Sequence, residues 1–410
     1  MSIWIDGAVV VDGTGRDPVA TGILIEGGRI ARLGGSRPAG TAVLDAAGLT
    51  LTPGLIDAHV HIALSSDINA STRYELSVAE IAADMFNNLA TTLDGGFTTV
   101  RDTGGIDGGI SRAVARGLIR GPRVIPSGPI QCQRGGHGHF AAPWEPTQLW
   151  REHGIPGLRD VSLLSSGPDE MRANVRESFR RGAEFIKLCV TGGVVSTHDQ
   201  LSDTQLTVEE IVVAVVEAKA RGSYVTVHAH NNAGLRNAIE AGVECVEHGS
   251  QIDDEMAALM KEKGVAHVPT LAVVESLLKD AGAAGIDASI GGRVGAAWQG
   301  QLDAIQASAA AGVLLGSGSD LIGPHQLGRG RELVLRAAAQ SPMAALESAT
   351  RDNARILRIS EDVGTVEVGK LADLVLWSAN PVDDAEVFGD RDAVALVVQT
   401  GRVVRDVRAS

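Results

Sequence analysis

The sequence predicts an α/β fold, namely a (β/α)₈ TIM barrel with a small composite β-sandwich domain formed by both termini. Two patterns predict it. The middle of the chain alternates short apolar strands with helix-length amphipathic stretches, which is typical of a parallel barrel. Both ends instead contain short strands between glycine turns. We therefore expect a barrel over 53–357 and a β domain over 1–52 and 358–410.

The terminal segments each contain too few strands for a complete sheet. Apolar runs at 3–10 and 22–31 resemble a β-meander, and similar runs recur at 364–369, 373–377 and 393–404. The simplest arrangement that buries their apolar faces is one domain that combines both ends of the chain.

The middle segment supplies eight strand-and-helix units. We expect the strands to end near Val60, Val100, Ile130, Val190, Ala229, Val246, Leu271 and Ser317. We expect helices over 78–94, 168–181, 207–221, 233–241, 253–263 and 329–339. Asp169 is a predicted helix cap, and Thr207 with Glu210 forms a capping-box pattern. Side chains at the carboxyl ends of barrel strands face the active site.

Composition excludes several classes of protein. A net charge of −14 over 410 residues argues against a nucleic-acid partner, which needs a basic face. No apolar run reaches the roughly 18 residues of a membrane span, and the strand-like start with Asp6 is unlike a signal peptide. We therefore expect a cytoplasmic protein, and a periplasmic or secreted one is the alternative if a signal peptide has been removed. The three cysteines, Cys132, Cys189 and Cys245, are expected to be buried and reduced.

Histidines occur in three His-x-His pairs: His59/His61, His137/His139 and His228/His230. Random placement of 11 histidines would give only about 0.3 such pairs. On a strand this spacing puts two imidazoles on one face, and imidazole is the commonest metal ligand in proteins. The pairs therefore predict a metal site built on strands.

Lys187 lies inside the apolar run 183–190 of the fourth predicted strand. A buried lysine is costly unless it is paired or neutral. One interpretation is a core lysine bonded to a carboxylate. The other is a neutral amine that has reacted with carbon dioxide, because the resulting carbamate can bridge two cations. The strand ends together predict this ligand set: His59, His61, Lys187, His228, His248 and Asp320.

The chain resembles the amidohydrolase superfamily over nearly its whole length. The resemblance is carried by residues 53–61, 95–102, 246–249, 318–320 and 364–375. The stretch 186–196 is most similar to the metallo-dipeptidase and carboxypeptidase subgroup that contains Xaa-Pro dipeptidases, to which ochratoxin-hydrolysing amidohydrolases are related. Imidazolonepropionases also resemble this chain, but they have a one-metal site without the lysine of the fourth strand.

The resemblance implies two divalent metal ions, for which we expect Zn²⁺. His59, His61 and Asp320 would bind the more buried ion. Carboxylated Lys187 would bridge both ions, and His228 and His248 would bind the second. His228 is favoured over His230 as the ligand of the fifth strand, and His230 would then contact the substrate or a ligand.

The expected reaction is hydrolysis of an amide bond by a metal-bridging hydroxide, with Asp320 as general acid and base. The loop after the third strand carries His137, His139, Phe140, Trp144 and Trp150. We expect it to cover the substrate, with His137 or His139 bonding the scissile carbonyl. The alternative is a loop that packs on itself or on another subunit.

The implied substrate is a dipeptide or N-acyl amino acid with a free carboxylate, including amides like ochratoxin A. Arg134, Arg329 and Arg331 are candidates to bind that carboxylate. His198, His267, His325 and Tyr224 are weaker candidates for the site. His153 is expected at the surface. Members of the resembled subgroup are often oligomers, and often octamers, so the resemblance implies a homo-oligomer.

Four alternatives remain open at the level of sequence. The same scaffold hosts hydrolysis of cyclic amides, deamination and phosphotriester hydrolysis, because a fold does not determine a reaction. A non-catalytic assembly subunit is a further alternative, although loss of the ligand set would be expected for that role.

Overall fold

A computed structural model describes residues 2–67, 75–142, 144–148, 154–196, 198–282 and 290–408. Its strands are β1 Ser2–Asp6, β2 Val9–Val10, β3 Val19–Ala20, β4 Ile23–Glu26, β5 Arg29–Leu33, β6 Ala42–Asp45, β7 Thr50–Pro53, β8 Leu55–Val60, β9 Phe97–Asp102, β10 Arg123–Pro126, β11 Ile130–Gln133, β12 Ser162–Ser165, β13 Ile186–Cys189, β14 Val225–Ala229, β15 Cys245–His248, β16 Ala266–Val268, β17 Leu374–Trp377, β18 Val394–Gln399 and β19 Arg402–Asp406.

The helices of the described residues are α1 Val78–Asp94, α2 Gly108–Ala115, α3 Pro168–Arg180, α4 Val208–Lys219, α5 Asn232–Ala241, α6 Asp254–Lys263, α7 Leu271–Asp280, α8 Gly291–Ala311, α9 Arg331–Ala339, α10 Pro342–Glu347 and α11 Asn353–Ile356. A capping box at Thr207 and Glu210 begins α4, as the sequence predicts. Asp169 is not a cap, because α3 begins at Pro168 with Gly167 in the cap position and Asp169 inside the first turn.

Strands from both ends of the chain share a sheet. Its order is β19-β18-β17-β7-β2-β3, so the C-terminal strands continue the N-terminal ones through the antiparallel pair of β17 with β7. A second sheet has the order β5-β4-β1-β6. The division of the chain into two domains at 52/53 and 357/358 stays a prediction.

The middle of the chain forms parallel sheets. The strand orders are β10-β9-β8 and β12-β11-β13-β14-β15-β16, and every pair is parallel. Segment 314–320 lies between the ends of these sheets. The amide of His267 donates to the Leu314 carbonyl at 2.9 Å, and the amide of Ala58 donates to the Ser317 carbonyl at 3.0 Å.

Two strand boundaries differ from the prediction. The seventh strand ends at Val268, and Leu271 instead begins α7 directly after Thr270. The third strand continues past Ile130 to Gln133, after an interruption between Pro126 and Ile130. Apolar composition alone could not locate these ends, because Leu271 is buried in a helix just as it would be in a strand.

Trp377 joins the terminal sheet to the middle of the chain. Its indole is fully buried, its Nε1 donates to Thr52 Oγ1 at 2.9 Å, and its ring meets Phe388 edge to face. The surrounding cluster includes Leu55 and Phe97 from the parallel strands. This apolar contact holds β8, which leads into the candidate site, against the terminal sheet.

Replacing Trp377 by alanine should destabilise the protein by about 3–5 kcal/mol, because a large aromatic side chain leaves a cavity when it is removed. The urea midpoint of unfolding measures the effect. Trp144→Ala is the matched control, since that side chain is 95% exposed. Equal midpoints for the two variants would contradict the packing role of Trp377.

No helix within the described part of the chain combines the length and apolarity that crossing a bilayer would require.

Candidate metal centre

His59, His61 and Asp320 meet at the carboxyl end of β8. His59 Nε2 lies 3.3 Å from His61 Nε2 and 3.4 Å from Asp320 Oδ1, and His61 Nε2 lies 3.3 Å from the same oxygen. Two ligands bound at about 2.0–2.1 Å in tetrahedral geometry lie about 3.3–3.4 Å apart. The three atoms are therefore spaced as ligands of one small cation.

The far nitrogen of each of these imidazoles is fixed by an acceptor. His59 Nδ1 lies 2.9 Å from Glu247 Oε2, and His61 Nδ1 lies 2.9 Å from the Gly104 carbonyl. Such partners orient a histidine ligand and make its other nitrogen a better donor to a metal. Both rings therefore present Nε2 to the same point.

Glu247 is a functional residue that the sequence analysis missed. It is fully buried, accepts from Arg101 Nη2 at 2.6 Å and also accepts from Thr226 Oγ1. Although burial opposes ionisation, the Arg101 guanidinium holds the pKa of Glu247 well below its usual range. Glu247 lies next to His248, and Arg101 lies next to Asp102, within two of the stretches that carry the family resemblance. This position was a signal, but neither residue has the spacing of a metal ligand.

His228, His230 and His248 form a second group of rings beside the first. The His248 ring centroid lies 4.6 Å from that of His228, 5.3 Å from that of His230 and 4.9 Å from that of His59. One ligand atom from each of His59, His248 and Asp320 lies within 4.8 Å of the others. The structure thus brings the predicted histidines of the first, fifth and sixth strands together.

Each histidine of this second group also has one ring nitrogen occupied. His228 Nε2 lies 3.2 Å from the Gly192 carbonyl, His230 Nδ1 lies 2.8 Å from Ser250 Oγ, and His248 Nδ1 lies 2.8 Å from Thr270 Oγ1. His228 and His230 both keep a second nitrogen, so the choice of His228 as the ligand stays a prediction.

Burial keeps these imidazoles neutral. It lowers the pKa of His230 to about 3 and, with the neighbouring histidines, lowers those of His228 and His248 well below the ordinary value. A neutral imidazole can bind a metal, whereas a protonated one cannot. The group is therefore ready to accept a cation at neutral pH.

Lys187 lies on β13 among these side chains. It is 2% exposed, and its Nζ has no hydrogen-bond partner among the described residues. Burial lowers the pKa of this amine below its ordinary value. The structure therefore does not support the interpretation of a core lysine bonded to a carboxylate, because no salt bridge joins Lys187 to a described carboxylate within 4.0 Å.

Two residues of the predicted ligand set have strained backbones. His248 has φ +68° and Asp320 has φ +53°, a region that residues other than glycine rarely adopt. Such strain persists where surrounding contacts require it and often marks functional sites. Both residues contribute a ligand atom to the group that also contains His59.

His137 lies over the second group of histidines. Its ring stacks on that of His228 with centroids 4.1 Å apart, and its Nδ1 has no hydrogen-bond partner among the described residues. Burial lowers the pKa of His137 to about 4. Gly193 lies directly against this ring, and a Cβ at that position would overlap it. The imidazole therefore faces the site as a neutral hydrogen-bonding group.

A buried carboxylate holds the loop that carries His137. Gln205 Oε1 accepts from the His137 amide at 2.9 Å, while Gln205 Nε2 donates to Asp199 Oδ2 at 2.7 Å. Asp199 also accepts from the Gly193 amide at 3.2 Å and from Ser196 Oγ. The sequence analysis did not identify Asp199, which has no spacing relation to the histidine pairs.

His139 lies apart from the ring cluster. Its Nδ1 accepts from the Gly135 amide at 3.0 Å, and its ring lies 6.2 Å from that of His198. Of the loop aromatics, Phe140 meets the His137 ring at 5.9 Å, whereas Trp144 is 95% exposed. The expectations for Trp150 and His153 fall outside the described residues. His139 as a substrate-binding group stays a prediction.

The three arginines predicted to bind a substrate carboxylate have acidic partners already. Arg329 is buried against Asp57, with Nη1 3.4 Å from Oδ2. Arg331 forms a two-pronged pair with Glu275 at 2.8 and 2.9 Å. Arg134 is largely exposed, and its Nη2 lies 3.3 Å from Glu170. These contacts argue against all three candidates.

The remaining candidates for the site are His267, Tyr224 and His325. Both ring nitrogens of His267 are occupied, by Ser308 Oγ at 3.0 Å and the His248 carbonyl at 3.1 Å, so it supports the backbone of His248. Tyr224 is buried against Phe185. His325 lies in the turn Gly323–Gly328, which follows Asp320.

Comparison with known proteins agrees with this geometry. Residues 50–404 match the family model described as the amidohydrolase family. An ochratoxinase of Aspergillus niger is 31% identical over 365 residues, which cover 87% of this chain and 75% of that protein. Its crystal structure has a TM-score of 0.86 at 28% identity and covers 100% of this chain and 96% of that one. A prolidase complexed with N-methylphosphonate-L-proline is similar at 32% identity and TM-score 0.93, covering 99% and 100%.

Glu247→Gln should lower metal affinity by about 10–100-fold, because the amide binds His59 and Arg101 less strongly than the carboxylate does. Titration against a competing chelator measures the loss. Glu244→Gln is the matched control, since Glu244 lies just before the same strand but pairs with Arg358 away from the centre. Unchanged affinity in Glu247→Gln would show that this carboxylate does not orient a ligand.

Proposed function

This chain belongs to the amidohydrolase family, and from that premise we propose that it hydrolyses linear amide bonds with two divalent metal ions. The substrates we propose are dipeptides and N-acyl amino acids with a free carboxylate, including amides like ochratoxin A. The ochratoxinase and prolidase relatives support hydrolysis of an amide. The observation that carries the proposal is that buried imidazoles and Asp320 converge near Lys187, whose amine has no hydrogen-bond partner among the described residues.

The parallel strands would close into a (β/α)₈ barrel around this point. Hydrogen bonds from segment 314–320 to both β16 and β8 support closure through an eighth strand. The terminal sheets would then form the flanking β domain. In such a barrel the carboxyl ends of the strands carry the active site, which is where the proposed ligands lie.

The ligand assignment follows the family resemblance, and the short contacts among His59, His61 and Asp320 support its first part. His59, His61 and Asp320 would hold the more buried ion, and His228 and His248 the second. Carboxylated Lys187 would bridge them: its neutral amine would add carbon dioxide and release a proton to solvent, which leaves a carbamate whose one negative charge is shared by two oxygens. We propose Zn²⁺, which suits mixed imidazole and carboxylate ligands. When bound, the ions would supply a nucleophilic water of lowered pKa and polarise the scissile carbonyl.

Asp320 is the group proposed to move the proton. Its Oδ1 lies against both His59 and His61, whereas its Oδ2 lies 3.7 Å from His248 Nδ1. Although burial opposes ionisation, the His59 ring lowers the pKa of this carboxyl group. An ionised Asp320 can take a proton from the attacking water and return it to the leaving amine.

His137 is proposed to hydrogen-bond the carbonyl oxygen of the scissile amide. It is a neutral ring with a buried nitrogen that lacks a partner among the described residues, and it stacks on His228. A preorganised donor of this kind stabilises the charge that develops on the oxygen. His139, which lies near His198 instead, would act at the rim of the site.

A substrate panel tests the proposed function. We expect release of amino acid from N-acetyl-L-phenylalanine or from a Xaa-Pro dipeptide, with no turnover of cyclic amides or phosphotriesters. Amine release by chromatography is the measurement. Chelation should abolish activity, and added Zn²⁺ should restore it. Cleavage of cyclic amides without any cleavage of linear ones would overturn the assignment.

Lys187→Ala should hold fewer than the two metal equivalents expected for the wild type, because the bridge between the sites is lost. Metal analysis after gel filtration gives the count. Carbon-13 NMR of protein prepared in labelled bicarbonate should show a carbamate signal that the variant lacks. Lys219→Ala, at an exposed position that ends α4, is the control. Two equivalents retained in Lys187→Ala would eliminate the bridging role.

A further inference from the structure

Arg293 lies in the first turn of α8, at the same end of the strands as the candidate centre. Around it Val294 packs with Val194, which follows β13, and with Ile322, which follows Asp320. Leu64, which follows His61, packs against the same cluster. The start of α8 therefore belongs to the rim formed by the segments that follow three site-bearing strands.

The guanidinium of Arg293 is held by backbone. Its Nη1 donates to the carbonyls of Gly193 and Asp199, each at 3.1 Å. Among the described residues Arg293 makes no other hydrogen bond. The N–H groups on its Nε and Nη2 can therefore donate to a ligand. A guanidinium fixed through one nitrogen presents its remaining N–H groups in a defined direction.

A short series of contacts leads from Arg293 to the centre. Gly193, whose carbonyl accepts from Arg293, lies directly against the His137 ring. His137 in turn stacks on His228 at 4.1 Å. Arg293 and His137 therefore share Gly193 as a neighbour, so a substrate bound at His137 would lie close to Arg293.

The charge of Arg293 is uncompensated by an ion pair among the described residues. Asp199 offers Arg293 its carbonyl, because its carboxylate is occupied by Ser196, the Gly193 amide and Gln205. Arg329 and Arg331, by contrast, each contact a carboxylate of the protein. Arg293 is only partly exposed, so an anionic ligand would meet a partly desolvated cation.

We propose that Arg293 binds the free carboxylate of the substrate and so selects N-acyl amino acids over neutral amides. This inference rests on the proposed function and deepens it by assigning the carboxylate to a residue. An arginine suits this task because its N–H groups match the two oxygens of a carboxylate. Arg293 would be a specificity residue, since it touches the substrate away from the scissile bond.

The test compares N-acetyl-L-phenylalanine with N-acetyl-phenethylamine, which has the same amide but no carboxylate. The proteins are the zinc-loaded wild type, Arg293→Met and Arg293→Lys. Arg236→Met is the matched control, because Arg236 forms an exposed pair with Glu255 on another helix. We expect Arg293→Met to lower kcat/KM for the acid by about 10–100-fold, mainly through KM, as for loss of a charged hydrogen bond.

The same variant should leave kcat/KM for the neutral amide within about threefold of wild type, and Arg293→Lys should recover part of the loss for the acid. Equal losses on both substrates would overturn the inference, because they would indicate a support for the loop 193–199 only. A wild type that cleaves both substrates equally well would also overturn it while leaving amide hydrolysis intact. Cleavage of neither these amides nor dipeptides would reject the proposed function itself, and the inference with it.

Discussion

The position of the candidate centre depends on one buried carboxylate. Glu247 on β15 receives the Arg101 guanidinium on one oxygen and the His59 ring on the other, so it joins its own sheet to the neighbouring strands β9 and β8 of the other parallel sheet. Breaking such a pair would leave an uncompensated charge in the interior, which is strongly destabilising. The geometry of the first histidine pair is therefore tied to the packing of the strands themselves, and no flexible loop is needed to set it.

The other side chains of the site are polar groups that are crowded together where water is excluded. Imidazoles packed 4–5 Å apart cannot all carry protons, and a buried amine at Lys187 is equally unfavourable as a cation. Divalent cations would resolve this, because they would make neutral imidazoles and carboxylates ligands of one charge. A group of side chains that would be a defect in an ordinary core is what a metal site requires.

Much of this arrangement was predictable from the sequence. His59, His61 and Asp320 were each predicted at the carboxyl end of a barrel strand, so their meeting could be foreseen. The helices at 78–94 and 168–180 agree with prediction because their apolar period and boundaries are local properties. The (β/α)₈ barrel closure and the roles of individual ligands go beyond what local pattern determines.

The remaining features depend on contacts that no local pattern records. Glu247 and Asp199 act through partners 188 and 6 residues away, and nothing in their own spacing distinguishes them from surface carboxylates. The arginine candidates failed for the same reason, since Arg329 and Arg331 neutralise Asp57 and Glu275 from elsewhere in the chain. The start of the seventh helix at Leu271 likewise reflects tertiary burial, because buried strands and buried helices share one composition.

Gly193 has a consequence for how this site can diversify. Any side chain at this position would displace the His137 imidazole, so even a substitution by alanine would disturb the site. The loop that carries His137 also carries Phe140, which is partly exposed to solvent. A substitution at Phe140 would not force a similar overlap. New leaving groups or acyl chains should therefore be accommodated by changes at the periphery, while a side chain at Gly193 would disturb His137.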